Sequence, residues 1–294
     1  MEFDVKQLRP VGISDRAFFQ AKLAIKESRS CECAFANLVL WQEPYQEEFV
    51  VVDGRIAVIE RKTGVLHFPI GEYFAPQELA ELCDAFRSAG PGNGTIYDVP
   101  EDYPAAAEWF DESANEGEFD YLYDLKHLAE MNGPLLRKKR NLVRQFERAY
   151  PDYRLEAVTR DNLDITLNLA TELNRRLHHV DFLDEEEIAM NLVHRDFDAL
   201  GMGGVLLYAA GSPAGFSLYS RINRDTADIH FEKADHTVKG APQMLTAKLA
   251  EHLLTQSFLY MNREQDMDEP GLRQAKRSLD PCCMVKRQSF RRRG

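Results

Sequence analysis

The order of elements after residue 118 leaves few folds open to the chain. Residues 119–125 alternate apolar and polar side chains, as a half-buried strand does. Helical patterns follow at 126–132 and 134–149, broken by Asn132-Gly133-Pro134, and a strand is expected at 153–159. Two helices, 161–178 and 184–200, each open on an aspartate with further acids close behind, which suits the positive end of a helix dipole. Three strands come next, at 204–210, 214–222 and 226–233, with Gly211-Ser212-Pro213 turning the first pair. A helix at 239–256, a strand at 258–262, a helix at 270–278 and a strand at 284–290 finish the chain. A strand meander followed by a helical crossover to another strand predicts an α+β fold built on a mixed sheet.

The first 118 residues read as a shortened version of the same plan. A helix is expected at 14–25 with Ser14 as its cap, and 36–41 is apolar enough for helix or strand. Residues 48–52 and 55–59 flank Asp53-Gly54, which supplies the positive φ angles of a tight hairpin. A third strand at 65–70, a helix at 76–88 with Pro76 in its first turn, a strand at 95–99 and a helix at 104–113 follow. The 294 residues suit two domains, taken as 1–118 and 119–294, with the better-equipped second half expected to carry the site.

Charge separates the halves. Residues 1–130 hold 11 Lys and Arg against 25 Asp and Glu, whereas the remainder holds 25 against 23. An acidic half joined to one with basic clusters suggests that the second half handles an anion. Arg137-Lys138-Lys139-Arg140 with Arg144 and Arg148 forms the first basic cluster, and the second runs from Arg273 to Arg293. Arg291 to Arg293 are expected at a frayed end. No apolar run is long enough to span a bilayer, so membrane contact would be peripheral. The five cysteines match neither a paired zinc motif nor a disulfide framework, so reduced thiols, a cytoplasmic location and no metal are expected.

Candidate chemistry concentrates in the second half. Asp228, His230 and Glu232 share one face of their strand, with Ile229 and Phe231 on the other, so His230 or Glu232 is placed to act as general base. Gly240, in a loop that enters a helix, together with Lys239 and Lys233 suits an anionic group. Asn262, Glu264 and Asp266 alternate at a strand end, and Arg273 and Lys276 share a face of the next helix. Lys139, Arg140 and Asn141 lie between the apolar and exposed faces of helix 134–149. Each of these groups is also compatible with ordinary solvated surface.

The order of the second half resembles the GNAT superfamily of acyltransferases, and the first half looks like a degenerate copy, giving tandem GNAT-like halves. More narrowly, Gly133 to Phe146, His230-Phe-Glu-Lys-Ala-Asp235 with Gly240, Asn262-Arg-Glu-Gln-Asp266 with Leu272-Arg-Gln-Ala-Lys276, and Phe35-Ala-Asn-Leu-Val-Leu-Trp41 resemble the family containing the catalytic domain of phosphatidylglycerol lysyltransferase. That resemblance implies transfer of an aminoacyl group from aminoacyl-tRNA to a lipid headgroup amine or hydroxyl, with no DNA partner. Glu232 or His230 would be the base, Asn262 and Asp266 would orient the acceptor, and Lys139, Arg140, Arg273 and Lys276 would bind the donor. The chain departs from the family at Met267-Asp-Glu-Pro-Gly271 and at Leu279, where relatives often carry tyrosine. The GNAT cofactor loop also fails at both ends, with Thr237 and Pro242. Acyl-CoA is therefore the secondary donor, and a sensor module on the same scaffold and a peptidoglycan-type transferase are the alternatives. Oligomeric state stays open.

Overall fold

The computed structural model describes residues 4–176 and 183–294, so the expected helix end at His178 lies outside the described residues. The first half supplies strands β1 (Arg9–Pro10), β2 (Glu47–Val52), β3 (Arg55–Glu60), β4 (Leu66–His67), β5 (Thr95–Pro100) and β6 (Phe110–Ser113). Then come β7 (Asp120–Asp124), β8 (Arg154–Ala157), β9 (Gly203–Ala209), β10 (Ser212–Arg221), β11 (Thr226–Ala234), β12 (Tyr260–Asn262), β13 (Cys283–Val285) and β14 (Arg287–Arg292). The helices are α1 (Arg16–Leu23), α2 (Phe35–Leu40), α3 (Gln42–Tyr45), α4 (Pro76–Ser88), α5 (Leu125–Glu130), α6 (Arg137–Ala149), α7 (Leu163–Arg175), α8 (Leu183–Leu200), α9 (Ala241–Thr255) and α10 (Pro270–Arg277). Among the described residues, the strands form two seven-stranded sheets, ordered β1-β2-β3-β4-β5-β14-β6 and β13-β7-β12-β11-β10-β9-β8.

Both sheets follow one plan. A meander of three antiparallel strands, β2-β3-β4 or β9-β10-β11, leads through a helix to a strand that lies parallel to the last of the three. A parallel return requires a crossover, and a helix makes it by burying one face on the sheet. Leu79, Leu82 and Phe86 of α4 and Met244, Leu245 and Leu249 of α9 are that buried face. This is the tandem GNAT-like α+β arrangement expected from the sequence.

The second half also lends a strand to the first. After β6 the chain leaves the first sheet, and β7 enters the second, pairing with β12 on one side and β13 on the other. After β13 it returns, and β14 enters the first sheet between β5 and β6. The single strand expected at 284–290 is therefore two strands in two sheets, with only Lys286 between them. Residues 287–292, beyond a boundary drawn at 118, complete the sheet of the first half.

Three local expectations resolve accordingly. The helix expected at 104–113 is a turn followed by β6, because β14 offers the segment a strand partner. The apolar run at 36–41 is helical, and every residue of α2 is buried. The C-terminal arginines are not frayed: Arg292 pairs with Asp84 at 2.8 Å and Arg293 with Asp111 at 2.8 Å. No helix among the described residues is long and apolar enough to cross a membrane.

Candidate active site between the two halves

Strands β11 and β12 are neighbours only from Thr226 and Tyr260 to Asp228 and Asn262. Beyond that point β11 continues, while the other chain turns away through Glu264, whose φ is +56°. The alternation expected for Asn262, Glu264 and Asp266 thus stops at Asn262. A β-bulge falls at the same level of β11. Leu218 and Tyr219, consecutive on β10, pair with Phe231 and Ile229, which leaves His230 as the extra residue. A bulge of this kind re-aims a side chain. It also separates Ile229 and Phe231, expected on one face, into different core clusters.

His230 is buried at this divergence. Its Nε2 is 2.8 Å from the Ser220 hydroxyl. Its Nδ1 is 3.5 Å from Glu264 Oε1 and 3.7 Å from Asp228 Oδ2. Nδ1, both Asp228 oxygens and Glu264 Oε1 are buried without a hydrogen-bond partner. Burial, reinforced by Glu264 and Asp120, raises the pKa of Asp228 well above the carboxylate range and favours its protonated form. A proton is shared most easily where several acceptors converge and donors are scarce. Glu232, by contrast, is engaged by Arg263 at 2.6 Å, and Lys233 by Glu186 at 2.9 Å.

The other strand-end candidates brace the segment that carries Glu264. The Asn262 amide donates to Asp120 at 2.8 Å and to the Arg29 carbonyl at 2.7 Å, and its oxygen accepts from the Glu264 N–H at 2.6 Å. Lys276 is buried and donates to the carbonyls of Arg263 and Gln265, and burial lowers its pKa to about 8. Asp266 accepts from Tyr121 at 2.6 Å and from Arg273 at 2.7 and 2.8 Å. Burial alone would raise the Asp266 pKa, but these hydrogen bonds and one from the Asp268 N–H lower it to about 2, against 3.8 for the free side chain. Because the folded value is the lower one, this contribution to stability is complete above the unfolded pKa and is lost as pH falls towards 2. Asp266→Asn is therefore expected to lower the melting temperature at pH 7 and to leave a shallower acid limb, read by thermal melts between pH 2 and 7.

The basic helix α6 lies beside the start of α9. Lys139 donates to the Ser278 hydroxyl at 2.8 Å, and burial with nearby Arg263 lowers its pKa. Arg140 donates to the Met131 carbonyl at 2.7 Å, while Asn141 and Lys239 are exposed. Gly240 caps α9 at φ +86°, and a Cβ there would sit 2.6 Å from the Leu142 carbonyl oxygen of α6. Close helix approach, beyond any role in anion binding, accounts for this glycine. Gly240→Ala is expected to cost about 2–4 kcal/mol through strain and overpacking, read as a lower urea midpoint.

Sequence reasoning missed the cluster on the other side of the interface. A cavity of about 390 Å³ is lined by Glu32, Glu47, Glu60, His67, Asp98 and Arg287, with Trp41, Tyr45 and Tyr97 adding aromatic wall, and Glu264 and Gln265 reach it from the second half. Arg287 is only 6% exposed and contacts Asp98 at 2.7 Å, Glu32 at 3.2 Å and Asp120. Burial and neighbouring Asp98 push Glu32 up to about 7. Burial alone would lower the His67 pKa, but Asp98, Glu47 and Glu60 hold it well above its ordinary value. No spacing links residues 32, 67, 98, 120 and 287. The return of β14 to the first sheet brings Arg287 to the others, and no local pattern reports it.

Residues 23–289 match the family model for the C-terminal part of phosphatidylglycerol lysyltransferase. The chain is similar in structure to a conserved protein of unknown function from Bacteroides thetaiotaomicron, at 25% identity and TM-score 0.88, over 97% of this chain and 99% of that one. A C-terminal domain assigned to a lysylphosphatidylglycerol synthetase of Agrobacterium fabrum is 13% identical, with TM-score 0.67, over 96% of this chain and 93% of that one. L-PGS from Bacillus licheniformis is 15% identical, with TM-score 0.66, over 95% and 92%. No curated protein matches the chain significantly.

Proposed function

The chain belongs to the phosphatidylglycerol lysyltransferase C-terminal family, and from that premise we propose that it transfers an acyl or aminoacyl group to an amine or hydroxyl held between its halves. The observation that carries this reading is the buried Asp228–His230–Glu264 cluster, which opens onto the interfacial cavity through Glu264. In such a transfer the acceptor loses a proton as its bond to the acyl carbon forms, and the donor's ester or thioester bond breaks. Glu264 is the base that faces the acceptor. His230, 3.5 Å behind it and held by Ser220, is positioned to share the proton. The excess of carboxylates around the cavity favours an amine acceptor that enters as a cation. It gives one proton to Glu264, which frees its lone pair, and the second, lost as the amide forms, passes to the leaving oxygen or sulfur.

The donor side is the basic face of α6. Arg137, Lys138 and Arg144 are exposed there, beside Lys239. That face suits a polyphosphate chain, and aminoacyl-tRNA is the preferred donor. A loop that cradles CoA phosphates needs free N–H groups, and Gly240 is packed against α6 while Pro242 has no N–H to offer. The test supplies labelled aminoacyl-tRNA or labelled acetyl-CoA with amine and lipid-headgroup acceptors. Label transfer from aminoacyl-tRNA, with KM for the tRNA raised severalfold by Arg137→Ala, Lys138→Ala and Arg144→Ala together, is expected. Transfer from acetyl-CoA alone would overturn the donor assignment.

A further inference from the structure

The second half's cluster leaves unexplained a group of carboxylates in the first half. Glu47 on β2 and Glu60 on β3 are direct cross-strand partners. Like charges placed opposite one another in an antiparallel pair repel, and Glu47 is only 4% exposed, so water does little to relieve the repulsion. Both side chains converge on His67 of β4. Its Nε2 is 3.4 Å from Glu47 Oε1 and 3.6 Å from Glu60 Oε1. These contacts are too long for hydrogen bonds, and both His67 Nε2 and Glu47 Oε2 are buried without a hydrogen-bond partner. On the other side of the ring, Nδ1 lies 3.0 Å from Asp98 Oδ2, and Asp98 is in turn held by Arg287 at 2.7 Å.

We propose that Glu47, Glu60 and His67 bind a divalent transition-metal cation of the zinc type, with Asp98 orienting the imidazole from behind. Three features of the geometry support this. The donor atoms of the three residues all lie within 4.8 Å of one another. Ligands about 2.0–2.1 Å from a tetrahedral ion are separated by roughly 3.3–3.5 Å, close to the spacings seen around Nε2. A metal-binding histidine ordinarily gives its other ring nitrogen to a carboxylate, as His67 does to Asp98. An imidazole with two carboxylates suits zinc or manganese better than calcium or magnesium, which favour all-oxygen shells. His67, Glu47 and Glu60 line the interfacial cavity, so the open coordination position would face it. The site stands on these residues alone and does not depend on the transferase reading.

The experiment is calorimetric titration of the full chain, stripped with chelator, with Zn2+ and separately with Mg2+. One saturable Zn2+ site is expected with little Mg2+ binding, and Glu60→Gln and His67→Gln should each weaken Zn2+ by at least tenfold. Asp228→Asn, in the similarly composed cluster of the second half, should leave the affinity unchanged. If His67→Gln fails to fold, Co2+ added to the wild-type chain provides the second readout: visible d–d bands without a thiolate charge-transfer band. Absence of saturable binding, retention of full affinity in Glu60→Gln, loss of the site in Asp228→Asn, or a thiolate band from nearby Cys31 would each overturn the assignment.

Discussion

Deleting residues 286–294 is expected to abolish cooperative folding of the first half, and with it the interfacial cavity. β14 is an interior strand of that sheet, paired to β5 and to β6. Its removal leaves two unpaired edges, which cost hydrogen bonds and invite aggregation. Phe290, 2% exposed and packed on Tyr103 and Phe110, leaves a large hole. Loss of a buried phenylalanine side chain alone costs about 3–5 kcal/mol. Loss of a buried ion-pair partner costs a similar amount, and together these approach the roughly 5–15 kcal/mol that holds a typical domain folded. Circular dichroism melts of the truncated chain should show no single sharp transition, whereas deletion of Gly294 alone should leave the melt unchanged. A truncated protein that melts within a few degrees of the wild type would show that β14 is dispensable.

Arg287→Ala is expected to be the most damaging single substitution at the interface, at about 3–5 kcal/mol. The strand that crosses between the sheets meets β7 here. Arg287 opens β14 and Asp120 opens β7, the two are joined by a buried ion pair, and the same guanidinium serves Asp98 and Glu32. Removing the cation leaves three carboxylates converging at the cavity wall, with Asp120 fully buried, and the cost of an unpaired buried charge exceeds the value of the pair it belonged to. The measurement is a urea denaturation series at pH 7. Arg287→Lys should recover only part of the loss, because an ammonium cannot match the forked contacts to three partners. Adding Asp120→Asn to Arg287→Ala should recover stability by removing one stranded charge. Purely additive losses in that pair would mean the two residues do not act together.

Much of the scaffold was legible because it is written in local patterns. Asp53-Gly54 and its flanking β-branched runs fix one hairpin and the apolar periodicity of α9 its crossover. The second hairpin turns at Ala210-Gly211, with Ser212 and Pro213 already paired in β10. Segments whose conformation depends on a distant partner were harder to read. Phe110–Ser113 carries helix-compatible residues yet is a strand because β14 lies beside it, and a run that looked like one strand splits at Lys286 because its two ends serve different sheets. The same reason divides the site. Asp228 and His230 share one strand and Glu264 follows the end of another, so residue type and spacing pointed to chemistry at each, but Glu232, expected as an alternative base, is held by Arg263. The bulge that turns His230, and the cluster of Glu32, Glu47, His67, Asp98, Asp120 and Arg287, depend on pairings across the whole chain. Arg273 and Lys276 looked free for a ligand in the sequence, but in the fold they are tied to Asp266 and to the carbonyls of Arg263 and Gln265.

The reading proposed above has acyl transfer take place where Glu264 enters the interfacial cavity. Single-turnover transfer of labelled aminoacyl groups to an amine acceptor, compared between wild type, Glu264→Gln and His230→Ala at matched folded fraction, tests it most directly. Loss of a positioned general base costs about 10²–10⁴ in rate, so Glu264→Gln should fall by that factor and His230→Ala by a smaller one, with tRNA binding retained in both. Transfer at the wild-type rate in Glu264→Gln would mean that Glu264 is not the base.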